Sequence, residues 1–288
     1  MSIRTILVPL DGGAMDAVCL AAAGDLARRL KCHVEAAYPD PDPLEMVAGT
    51  MFDLGGGAYF SDELIGSLKR QAAARRKAAT SHFDAWRASA SLAEAKQASG
   101  APGGSATLAI EPELPQAFIR RRALVADLVV TALSGNGENG DSHLLEVALF
   151  DAGRPVLGLP RRPAPAPQSG PAVIAWNGSA EAARAVASAL PLLAEAGVAV
   201  VIHAGEPDPA AAPRDVASFL AWHGIAAEAE ELGSGDDPEV LISARIVQLK
   251  ARMLVMGAYT HSRAREYVFG GVTRDLLRTT QRPLLLAH

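Results

Sequence analysis

Short apolar runs alternate along this chain with longer stretches in which apolar residues return every three or four positions. The first period belongs to buried strands and the second to helices packed on one face. The pattern predicts a strand over residues 3–10, a helix over 14–30 and a strand over 32–38. After Leu54-Gly55-Gly56-Gly57 a long helix is expected from Ser61 to Trp86, with Leu64, Leu68, Phe83 and Trp86 as its core stripe. Met46, Met51 and Phe52, ahead of that helix, fit no period and read as exposed apolar contacts. TLAIE, a helix after Glu113, DLVVTAL and PVLGL complete the first half.

The second half runs through the same sequence of elements. AVIAW is a strand, Ser179 is placed to cap a helix carrying Val186, Leu190 and Leu193, and VAVVIHA is the next strand. Asp208 and Pro209 are expected to open a helix with Val216, Phe219 and Leu220 on one face and Gly224 just past its end. IAAEAE, a helix capped at Asp236-Asp237-Pro238, RMLVMGA, a helix over Gly271 to Thr280 and PLLLAH follow.

Sliding the chain along itself makes the repeat explicit. At an offset of 166, ILVPLDGG falls on AVIAWNGS, which sets Asp11 on Asn177, and Pro41-Asp42-Pro43 falls on Pro207-Asp208-Pro209. RPVLGLP from Arg154 matches RPLLLAH from Arg282 at an offset of 128, so the second copy is 38 residues shorter. Between the copies lies a proline-rich stretch that reads as a semi-rigid linker. The expected organisation is a domain over 1–160, a linker over 161–171 and a domain over 172–288. Strands alternating with helices favour a parallel sheet covered on both faces. Each half is therefore expected to be an α/β, doubly wound, five-stranded parallel sheet of strand order 3-2-1-4-5.

Composition narrows the function classes. With 288 residues, 49% of them hydrophobic and 20% charged, the chain has enough apolar surface for two cores without disulfide or metal staples. A net charge of -5 argues against a broad grip on nucleic acid, which needs an excess of Lys and Arg. The runs Arg120-Arg121-Arg122 and Arg161-Arg162 read as solvated surface. Cys19 and Cys32 sit among small apolar residues and read as packed thiols, and no run approaches the ~20 apolar residues of a membrane span. These points lead to an expected cytoplasmic location.

In doubly wound sheets a ligand sits beyond the carboxyl ends of the strands where strand order reverses, between strands one and four. In the second half those ends carry Asn177-Gly178-Ser179 and the loop from Gly257 to Thr273. Gly270-Gly271 leads that loop into a helix N-terminus, where unpaired amides and the helix dipole favour a phosphate. His261, Arg263 and Arg265 lie within it, where they either grip phosphate or solvate an exposed loop. No lysine follows a glycine, so a GxxxxGK phosphate loop is absent. The histidines show no HxxxH or HExxH spacing, and no acid-base pair, nucleophile or metal cluster is assigned.

GAYTHSRAREYVFGGVT resembles the nucleotide loop of the universal stress protein family, written G-x-x-G, nine residues, G-[ST]. Gly257 takes the first glycine, Thr260 the place of the second, and Gly270 the third; Gly271 follows where the family has Ser or Thr, with Thr273 as a nearby hydroxyl. VPLDGG supplies the family's strand-one aspartate as Asp11. The resemblance covers both copies, and it implies a tandem protein of the adenine nucleotide alpha hydrolase-like fold. It also implies an intrachain pseudo-dimer in which PVLGL meets PLLLA, and pairing of whole chains into a homodimer.

For function the resemblance implies a non-catalytic stress-response protein that binds adenine nucleotide, ATP with magnesium, in its second half, with protein partners of unknown identity. Two departures weaken that second site: Thr260 brings a β-branched side chain, and Asn177 replaces the charged aspartate with an amide. In the first half Asp11 is kept, but the loop after strand four places Ala132, Gly135 and Ser142-His143 on the glycine positions and adds Glu138 and Asp141. Phosphate is disfavoured there. A nucleotide-free interaction scaffold and, behind it, an adenine-nucleotide hydrolase stand as the other readings.

Overall fold

The computed structural model describes residues 2–46, 61–95, 104–133, 141–162, 170–206, 208–258 and 276–288. The chain forms two compact units, Arg4–Val130 and Thr131–His288, the latter with Met1–Ile3.

The first unit contains β1 (Thr5–Pro9), α1 (Met15–Leu30), β2 (His33–Pro39), α2 (Asp62–Ala90), β3 (Ala93–Glu94), β4 (Ser105–Glu111), α3 (Pro115–Ala123) and β5 (Leu128–Ala132), whose last two residues fall in the second unit. Its strands pair in parallel in the order β3-β4-β2-β1-β5. A parallel sheet needs cover on both faces, which is why Ile6, Leu7 and Val8 are all buried without alternation. One face of α1 buries Cys19, Leu20, Ala23, Leu26 and Ala27, so both cysteines expected as packed thiols are indeed buried. Gly24 on that face lets the Trp86 indole lie against the α1 backbone: a Cβ there would stand 2.6 Å from the Trp86 Nε1.

Along α2 only the C-terminal half keeps the predicted stripe. Ala79, Phe83, Trp86 and Ala90 are buried, and the Phe83 and Trp86 rings lie 5.6 Å apart. Leu64 is 44% exposed. The reason is length, since 29 residues of helix reach about 43 Å and the 16 residues of α1 about 24 Å. Of the predicted apolar contacts ahead of α2, Met46 is exposed, whereas Met51 and Phe52 lie outside the described residues.

The second unit contains α4 (Asp141–Glu146), continued by a π-helical turn over Val147–Asp151, then β6 (Val156–Leu159), β7 (Ala172–Ala175), α5 (Ala180–Ala196), β8 (Val198–His203), α6 (Pro213–Trp222), β9 (Ala226–Glu231), α7 (Pro238–Gln248), β10 (Met253–Gly257) and β11 (Leu284–Ala287). Its strand order is β6-β11-β10-β7-β8-β9. All these pairs are parallel except β6 with β11, where Leu284, Leu285 and Leu286 face Gly158, Leu157 and Val156. PVLGL and PLLLA therefore do meet, in antiparallel register.

Asp208 and Pro209 do not open a helix. Pro209–Ala211 makes a single 3-10 turn, and α6 begins at Pro213 after Ala212. A helix started at Pro209 would carry Pro213 in its second turn, where it lacks the N–H and clashes with the carbonyl four residues back. At the first position of a helix the same proline is favourable. Val216 and Leu220 are buried as predicted, while Phe219 is 42% exposed. Asp237 stands at the N-cap of α7 without a side-chain hydrogen bond.

Candidate functional site

The loops that leave strand one of each copy, β1 and β7, turn into α1 and α5 with the same backbone bend. Gly12 has φ of 78° and Gly178 has φ of 72°, a conformation that costs other L-residues about 1 to 2 kcal/mol. In both loops the residue before this glycine closes the turn with its side chain. The Gly13 amide donates to Asp11 Oδ1 at 2.6 Å, and the Ser179 amide donates to Asn177 Oδ1 at 3.2 Å. Asn177 can replace Asp11 here because the turn needs only a side-chain carbonyl oxygen.

In the second unit Ser179 works at both ends of its hydroxyl. Its Oγ donates to Asn177 Oδ1 at 2.7 Å and accepts from the Ala182 amide at 3.1 Å, capping α5 as its sequence position predicts. His203, buried at the end of β8, contacts the Trp176 carbonyl through Nδ1 at 3.0 Å and the Glu206 carbonyl through Nε2 at 3.0 Å. That ring fixes the backbone immediately before Asn177.

Gly257 closes β10 directly against the first turn of α5. A Cβ on it would stand 2.5 Å from the Ala182 amide nitrogen and 2.7 Å from the Glu181 carbonyl carbon. The glycine is thus required for packing, and it sets the strand-four exit beside the loop that carries Asn177, Gly178 and Ser179. Ala258 continues from it with its N–H on the Ala287 carbonyl at 2.8 Å and its own carbonyl on His288 Nδ1 at 3.0 Å. Thr260, His261, Arg263, Arg265, Gly270, Gly271 and Thr273 lie outside the described residues, as do Gly135 and Glu138 of the first half.

The first unit holds a group that the sequence analysis did not single out. Asp16, in the first turn of α1, is 4% exposed. Its Oδ1 accepts from the Asp11 amide at 3.2 Å and its Oδ2 from the Gly12 amide at 3.0 Å. His82 Nδ1, on α2, stands 3.5 Å from Oδ2. Burial pushes the Asp16 carboxyl up to about 6; the Asp11 charge adds to that, while the two amides and His82 oppose it. The Arg75 backbone of α2 lies over Gly12, so that a Cβ on Gly12 would come within 2.8 Å of the Arg75 Cα. Nearby, Arg76 Nη1 donates to Asp40 Oδ2 at 2.8 Å. A signal existed in the sequence: Asp16, Leu20, Ala23 and Ala27 share one helical face, which sets an acid on the buried stripe.

The two loops therefore differ in chemistry. In the first, the amides of Asp11, Gly12 and Gly13 all donate to carboxylates of the same chain. At an offset of 166 the place of Asp16 is taken by Ala182, which has no acceptor to offer. Among the described residues, no group of His, Cys, Asp and Glu is arranged to hold a metal ion, and no helix is long and apolar enough to cross a membrane.

No family model and no curated protein matches the sequence. Solved structures do match, along nearly the whole chain. A universal stress protein from Archaeoglobus fulgidus DSM 4304 is 17% identical, with a TM-score of 0.68 over 99% of this chain and 96% of its own. A candidate universal stress protein from Pseudomonas aeruginosa UCBPP-PA14 is 16% identical, with a TM-score of 0.56 over 99% and 93%. A functionally unknown protein, PA1789, from Pseudomonas aeruginosa PAO1 is 15% identical, with a TM-score of 0.55 over 99% and 92%. At these identities the likeness speaks for the fold: over its full length, this chain has the α/β fold of solved universal stress proteins.

Proposed function

We propose that the chain is a tandem universal stress protein of the cytoplasm, non-catalytic, whose second half over 172–288 binds an adenine nucleotide, ATP with magnesium, while the first half over 1–160 takes none. The observation that carries this reading is the apposition of Gly257 and the first turn of α5. It sets the end of β10 at the same rim as Asn177, Gly178 and Ser179. From there Gly270 and Gly271 would offer amides, and Arg263 and His261 charge, to the phosphates. Ribose or base would meet the Asn177 side chain, whose Oδ1 is committed to the turn and whose amide N–H groups are what it has to give.

The described part of the second loop fits such a ligand, because no acidic side chain is hydrogen-bonded to its amides and Glu181 is paired with Arg184 at 2.7 Å. The first loop does not fit one, since Asp16 and Asp11 already hold its amides.

Calorimetric titration of the full chain with ATP and magnesium tests the reading. Saturable heat that disappears in Gly270→Asp is the expected result. Thr260→Gly is expected to tighten binding about tenfold, the gain that follows if nucleotide binding requires a positive φ at that position, which costs a β-branched residue about 1 to 2 kcal/mol. Absence of heat at millimolar nucleotide would transfer the chain to the scaffold reading, and turnover above a blank would transfer it to the hydrolases.

A further inference from the structure

Three groups of contacts hold α2 beside the β1–α1 loop of the first unit, one on the loop itself, one just past β2 and one in the first turn of α1. The Arg75 backbone lies on Gly12, Arg76 reaches Asp40 just past β2, and His82 meets the buried Asp16 carboxyl. Asp16 in turn holds the Asp11 and Gly12 amides, so one side chain ties the loop, α1 and α2 together. Both α2's length and the acid at position 16 belong to the first copy alone, since the second is shorter and carries Ala182.

We propose that α2 is a proton-linked latch on this loop: closure takes up a proton on Asp16, and α2 lets go of Asp11-Gly12-Gly13 as the pH rises. The inference rests on the packing of the first unit and stands whether or not the second half binds a nucleotide.

The sign follows from where the carboxyl sits. Closed, Asp16 is cut off from water and holds its proton up to about pH 6, burial outweighing the hydrogen bonds it accepts. Lifting α2 wets the carboxyl and returns it toward the ordinary value near 4. The closed form therefore binds the proton more tightly, and opening gains as pH climbs through that window and levels off above it.

The other groups around Asp16 are Asp11 from the loop, His82, Arg75 and Arg76 from α2, and Tyr38 and Asp40 from β2 and its end. Asp11 repels the Asp16 charge and His82 stabilises it. The Tyr38 hydroxyl is held above its usual range by burial and by Asp40, so it keeps its proton throughout.

Hydrogen exchange of the full chain, corrected for intrinsic rates, reads the latch at the Gly12 amide and over residues 75–83 of α2. Protection is expected to fall about tenfold between pH 5 and pH 7.5 in the natural sequence and to stay flat in Asp16→Asn, which keeps an acceptor oxygen but has no proton to trade. Equal protection at both pH values, or the same slope in Asp16→Asn, overturns the proposal. Should that variant fail to fold, the side-chain carboxyl ¹³C titration of Asp16 decides: a midpoint near 6 supports the latch, and one near 4 ends it.

Discussion

The β1–α1 and β7–α5 loops occupy matching places in the two copies of the repeat. Both bend at a glycine of positive φ, and both close on the side-chain oxygen of the residue before it. They differ in who satisfies the remaining backbone donors. In the first loop the buried Asp16 does so, with a long helix packed against the turn; in the second Ser179 accepts from the Ala182 amide, and the neighbouring strand ends on a glycine. A turn whose amides are held by a buried acid and a turn closed by an amide side chain and a capping serine can thus share a backbone bend. What separates them is a single acid on a helical face and the helix laid across it.

The largest effect is expected where that helix touches the loop. Gly12→Ala introduces a Cβ against the Arg75 backbone at a φ of 78°, and should cost about 3 kcal/mol in urea unfolding, strain and overpacking together. Gly224→Ala meets the same kind of φ, 74°, with nothing within 4 Å, and isolates the strain. Equal losses in the two variants would mean that α2 does not press on Gly12.

Next comes the acid itself. The folded-state value of about 6, against an ordinary 3.8, means that the folded chain binds this proton more tightly, so the contribution of Asp16 to stability falls as pH rises from about 4 to 6. Asp16→Asn should remove that slope and gain roughly 1 kcal/mol on the natural chain on going from pH 5 to pH 7.5, as read from urea midpoints. A variant that instead loses ground to the natural chain between pH 5 and pH 7.5 would show that the hydrogen bonds to the charged form outweigh its burial.

In the second loop Ser179→Ala is expected to lose about 1 kcal/mol, the ordinary worth of an N-cap, with Ser179→Gly losing less. The smallest effect belongs to Arg245→Ala, which breaks the pair with Glu230 at 2.6 Å on a partly exposed surface and should cost less than any of the changes above. Salt should shrink that loss further.

Much of this molecule was legible before its structure. The strand runs of the two halves, the Ser179 cap and the meeting of PVLGL with PLLLA were each anticipated from the sequence or from its family resemblance. Misreadings arose where two local signals competed. Pro209 looked like a helix start until Pro213, four residues on, made the better one, and the α2 stripe was drawn over Leu64 as though the sheet and α1 extended that far. Asp16 is hard to read from sequence because an acid in the first turn of a helix ordinarily serves the dipole at the surface.

By itself the sequence determined the order of elements, the duplication and the turn chemistry, because each depends on residues within a few positions of one another. Tertiary structure alone decided that α2 lies on Gly12 and brings His82 to the Asp16 carboxyl, and that Gly257 abuts the first turn of α5. Those contacts join residues 63 positions apart for Gly12 with Arg75 and 75 positions apart for Gly257 with Ala182. Over such separations the outcome depends on which surfaces remain uncovered once the sheet has formed, and no local period in the chain encodes that.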